Sequence, residues 1–184
     1  MKNISKCIIE NMDKKRKYSL EEKIVIEYGI ELFLDSAVKA ILYIGVGIII
    51  GRIKETFCAL IVWCMIRKQS GGRHAKNNFI CFMISGSAIF FPIILSAFWK
   101  ITTEISAISM IIVNYVYILY APYDEYFTYE EHKQEKINAK CKTIILINAF
   151  LLVTFFLRKI YLEIVIITLL EQGMLIIHRS IEER

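Results

Sequence analysis

The hydrophobic positions of this 184-residue chain gather into long, nearly uncharged runs separated by short polar stretches. Runs of about 18 apolar residues or more match the hydrocarbon thickness of a bilayer. The first covers 33–50, "FLDSAVKAILYIGVGIII", and carries only Asp35 and Lys39 as charges. Spaced i,i+4 with opposite signs, these two share a helix face and form a pair at the entry to the membrane. The run at 56–66, "TFCALIVWCMI", has only eleven residues. That length predicts a short, tilted or re-entrant segment. Residues 79–99 make a full span in which Pro92 is expected to introduce a kink and Trp99 suits the interface. Runs at 101–121, 143–157 and 160–178 follow. Upstream, "SLEE" at 19–22 has the form of a capping box. It predicts an amphipathic helix bearing Leu20, Ile24, Ile26, Ile30 and Leu34, lying along the membrane surface and then turning in. The pattern therefore predicts an all-α fold, a polytopic membrane helical bundle. It has about six hydrophobic segments, one of them short or re-entrant, and an N-terminal amphipathic helix. A single integral membrane domain, 1–184, is expected.

Composition agrees. The chain is 56% hydrophobic with a mean hydropathy of +0.49, above the roughly 45–50% apolar content of soluble domains. Residues 1–23 lack the apolar core of a cleavable signal peptide. The net charge of +5 is modest, and its lysines and arginines flank the apolar runs, so nucleic acid is not an expected partner. With six crossings, seventeen Lys and Arg fall in the region 1–29, the loops 67–78 and 122–142 and the tail, against five on the other side. The positive-inside rule then puts both termini and both loops in the cytoplasm.

The chemistry is sparse. Five cysteines occur with no CxxC spacing, so neither a disulfide framework nor a zinc site is expected. Cys58 and Cys64 read as small core residues, and Cys7 and Cys141 as bystanders near the inner surface. Three scattered histidines give no metal-ligand set, and no cofactor is implied. His132 reads as solvated and His178 as a C-terminal helix cap. Asn114, Glu104 and Glu163 read as polar points lining the bundle.

One border stands out. In "RKQSGGRHAKNNFICFMISG", 67–86, His74 lies in a basic, glycine-bearing loop and Cys81 lies just inside an apolar run. A cysteine nucleophile needs a base within reach or a field that lowers its pKa. On one unbroken helix, residues seven apart stand about 10.5 Å apart along the axis, too far for direct proton transfer. A dyad needs a break, and "SGG" at 70–72 supplies one. Asn78 as N-cap would put Cys81 in the first turn of the next helix. There the dipole and free N–H groups favour a thiolate and can hold an oxyanion. From spacing alone, a solvated His74 and a packing Cys81 remain the plain alternative.

The pattern Arg67-x4-Gly72-x-His74-x6-Cys81, with "GGRHA" at 71–75, resembles the active-site signature of the accessory gene regulator B (AgrB) family. The basic N-terminal region, the number of spans and "YAPYD" at 120–124 also fit. The resemblance implies a membrane cysteine endopeptidase of quorum sensing. Such an enzyme cuts the C-terminal part from an AgrD-like precursor peptide through an acyl-enzyme and promotes thiolactone or lactone closure. It implies Cys81 as nucleophile, His74 as base, Arg67 and Gly72 as supporting residues with Gly71 and Asn78 beside them, and a homodimer in the lipid bilayer. Gln69, Asn77 and Asn78 are candidates for a third orienting residue. A non-enzymatic membrane peptide exporter or scaffold, which needs no thiol, is the alternative.

Overall fold

In the computed structural model, residue 8 and residues 18–70, 78–98, 100–122 and 133–182 are described. Among them are six helices and no strand: α1 Leu20–Ile49, α2 Ile53–Ser70, α3 Asn78–Phe98, α4 Thr103–Tyr120, α5 Lys133–Phe155 and α6 Lys159–Glu182. Five of them, all but α2, are long and apolar enough to cross a membrane. The protein is an all-α, multi-pass membrane protein. The chain divides into two compact units, Met1–Ile49 and Ile50–Arg184.

The first unit is dominated by α1. Its capping box forms: the Ser19 N–H donates to Glu22 Oε2 (2.8 Å) and the Glu22 N–H donates to Ser19 Oγ (3.2 Å). The expected surface helix and the first span are one unbroken helix of 30 residues. No proline lies between residues 20 and 49, so nothing forces the expected turn. Within it Lys39 Nζ donates to Asp35 Oδ2 along one face, and Ser36 Oγ donates to the Leu32 carbonyl. Both contacts satisfy polar groups inside the helix, as a bilayer requires.

In the second unit, α2 contains the short apolar run and is not among the helices apolar enough to cross a membrane. The apolar run is eleven residues long, but the helix has 18 and is unbroken, about 27 Å at 1.5 Å per residue. Lys54 and Glu55 at one end and Arg67 and Lys68 at the other extend it, and the same charges keep it out of the apolar class. Pro92 lies inside α3, which also continues unbroken to Phe98.

α6 is the hub. Every residue from Leu162 to Leu169 is buried, and eight consecutive buried residues cover the whole circumference of a helix. α2, α3, α4 and α5 all pack against it, and around it α3 touches α2, α2 touches α5, and α5 touches α4. Val62, Ile66, Val113, Ile147 and Leu151 close on Val165, Ile166 and Leu169. The outer faces are apolar too: Ile111, Ile145 and Phe156 are exposed. Water would not tolerate such faces around the bundle, whereas hydrocarbon does.

Polar side chains set the register. Glu163 Oε1 accepts from the Ile101 N–H (3.1 Å) just before α4. Two turns and more along α6, Gln172 meets Tyr117 near the end of α4, so α4 and α6 run parallel. Asn148 Nδ2 on α5 donates to Asn114 Oδ1 on α4 (2.9 Å). Glu163 and Asn114 thus join helices, as expected of polar points in spans. Thr143, Thr154 and Ser106 hide their hydroxyls on their own helices' carbonyls. His178 sits one turn before the end of α6 at Glu182.

Gly173 permits the close approach of α4. A Cβ there would lie 3.1 Å from Val116 Cγ1. Gly173→Leu should therefore cost about 1–3 kcal/mol by overpacking, with Gly173→Ala well below it, read as thermal unfolding of the detergent-solubilised protein. For the amide pair, a double-mutant cycle of Asn114→Ala and Asn148→Ala should return a coupling of about 0.6 kcal/mol, the usual size for such bonds in membranes.

Candidate functional site

The site residues concentrate at one corner of the second unit, where α2 ends at Ser70 and α3 starts at Asn78. The two helices pack against each other. This brings the last turn of α2 toward the first turn of α3.

Cys81 is the fourth residue of α3 and is half-buried. Asn78 is the first residue of the helix. The first-turn N–H groups have no intrahelical carbonyl partner and stand at the positive end of the helix dipole. Phe79 and Ile80, next to the cysteine, are exposed. Cys58, Cys64, Cys81 and Cys141 are all free thiols.

Arg67, half-buried, comes from the last turn of α2. Its guanidinium lies over the ring of Trp63, one turn back on the same helix, 5.4 Å from the centroid. It is also within electrostatic reach of the Cys81 and Cys64 thiols. Arg67 lies in the last turn of α2 and Cys81 in the first turn of α3, on two helices that pack against each other. Gly71, Gly72, His74 and Asn77 lie outside the described residues. Gln69 is half-buried on α2.

Directly beneath this corner is a polar network that the sequence reading missed. Gln172 on α6 is buried and donates through Nε2 to the Trp63 carbonyl (2.8 Å). The hydroxyl of Tyr117, itself fully buried, is within hydrogen-bond distance of Gln172 Oε1 (3.4 Å) and of the Leu169 carbonyl (3.3 Å). The available signal was "EQ" at 171–172 inside an apolar run, since polar residues in a span face protein. On the same helix, Thr168 Oγ1 and Glu171 Oε2 are buried without a hydrogen-bond partner among the described residues. No group of three His, Cys, Asp or Glu that could hold a metal occurs among the described residues.

Comparison with known proteins gives a consistent picture. The family model for accessory gene regulator B matches residues 4–176. A protein of Clostridium acetobutylicum described as AgrB-like is 30% identical over 125 residues, 67% of this chain and 59% of that protein. A second, from Clostridium perfringens, is 27% identical over 131 residues, 67% of this chain and 61% of that protein. An AgrB-like protein 2 from Clostridium perfringens is 27% identical over 84 residues, 46% of this chain and 39% of that protein. The matched stretches thus cover less than two thirds of each relative. No solved structure matches.

Proposed function

This chain belongs to the accessory gene regulator B family, and from that premise we propose that it is a membrane-embedded cysteine endopeptidase acting on an AgrD-like precursor peptide. The observation that carries the reading is the placement of Cys81 in the opening turn of α3, which packs against the helix that ends with Arg67 in its last turn. The chain leaves one helix at Ser70 and enters the next at Asn78, so His74 belongs to the connection between them.

Cys81 acts as the nucleophile and His74 as the base. His74 takes the thiol proton as the sulfur attacks the scissile carbonyl, and the tetrahedral oxyanion is held by first-turn N–H groups. Collapse of the intermediate expels the amine of the C-terminal fragment, which receives the proton from His74. The N-terminal part of the precursor stays on Cys81 as a thioester. A thiol or hydroxyl within that peptide then attacks the thioester carbonyl, gives up its proton and releases the Cys81 sulfur. The product is a thiolactone or lactone. A site at the membrane border keeps water low and so favours closure over hydrolysis. Arg67 offers a guanidinium to a carboxylate of the peptide.

With six crossings, seventeen of the lysines and arginines fall on one side, and the positive-inside rule then favours the termini and the site at the cytoplasmic face.

Co-expression with a precursor, followed by its size on a gel, tests the reading. Cys81→Ala should abolish cleavage, and His74→Ala should slow it by about 100- to 10,000-fold, the usual worth of a general base. Both variants should still insert. Normal cutting by either removes the dyad, and processing that survives alkylation of a variant retaining only Cys81 would favour an exporter or scaffold.

A further inference from the structure

We propose that Gln172 is a positioning residue of this site: it anchors the turn of α2 that carries Arg67, and so keeps the guanidinium beside Cys81. The inference rests on the peptidase reading for its significance, but its geometry is independent of it.

The chain of contacts is short. In a regular helix the Trp63 carbonyl accepts the N–H of residue 67, four positions on. Gln172 Nε2 donates to that same carbonyl from the hub helix (2.8 Å). One atom therefore ties α6 to the backbone segment that places Arg67. The Trp63 ring, buried beside it, is the surface on which the guanidinium rests. A cation over an indole gains about 0.5–2 kcal/mol, more as water is removed. Gln172 is itself oriented by Tyr117, whose hydroxyl is close to both the amide oxygen and the Leu169 carbonyl. Contacts thus run from α4 through α6 to the turn of α2 that carries Arg67.

A glutamine buried only for packing could be replaced by an apolar residue at little cost. Here both ends of its amide meet polar groups, and the donor end meets the carbonyl that governs Arg67. In a bundle surrounded by lipid, no water replaces that bond. Without it the turn of α2 that carries Arg67 loses this tie to the hub.

The test reads the charge beside Cys81 without needing a substrate. The full chain, with Cys7, Cys58, Cys64 and Cys141 changed to Ser, is purified and its remaining thiol is reacted with three methanethiosulfonates of similar size: anionic, cationic and neutral. A neighbouring guanidinium should favour the anionic over the cationic reagent by about tenfold. Arg67→Gln should erase that preference. Gln172→Met, which keeps the length and volume but not the hydrogen bonds, should reduce it about threefold with little change for the neutral reagent. Tyr117→Phe should shift the ratio in the same direction by less, and serves if Gln172→Met does not fold. An unchanged ratio in Gln172→Met, or equal changes for all three reagents, overturns the inference. An Arg67→Gln variant that keeps the parent preference overturns it as well. Either result leaves precursor cleavage by Cys81 and His74 standing, because that is read on a gel in a separate experiment.

Discussion

Hydrocarbon offers no hydrogen bonds, and the rest of this structure follows from that. Every amide in a span must find its partner inside the protein. The chain meets this demand with helices, and with serine and threonine hydroxyls returned to their own backbones. The lipid-facing surfaces are left apolar. What remains is to hold helices together without a hydrophobic driving force between them, because lipid tails are as apolar as leucine. Tight packing around α6 supplies part of this, with Gly173 letting α4 come close. A few interhelical polar bonds supply the rest.

Those bonds are placed economically. Glu163 closes the approach to α4 at one end of the hub, and Gln172 joins Tyr117 and Trp63 toward the other. Asn114 and Asn148 tie α4 to α5. The network at Gln172 lies under the corner that carries Arg67 and Cys81. The groups that fix the register of the bundle thus lie close to the candidate site. A thiol in the first turn of a helix gains from the helix dipole only if that turn is held still, and the packing of α3 on both α2 and α6 provides this.

The capping box at Ser19 and Glu22 was legible because it is local: both partners lie within one turn. The Asp35–Lys39 pair was legible for the same reason. Residues 56–66 were legible as a run too short to span, and α2 is not among the described helices apolar enough to cross. In the fold Lys54, Glu55, Arg67 and Lys68 remain helical and lengthen α2 to 18 residues. Charged side chains of this kind reach beyond the apolar layer without ending the helix.

By itself the sequence determined the class of protein, the apolar segments and the border at which Cys81 stands, since each depends on hydrophobic period, local capping and motif spacing. It also carried the family signature around Arg67 and Cys81. Only the tertiary structure decided that α6 is surrounded by its neighbours, that the end of α2 packs on α3, and that Gln172 reaches a carbonyl 109 positions away. Helical period shows which residues share a face, but not which helix covers it; that choice is made by packing between segments distant in the chain.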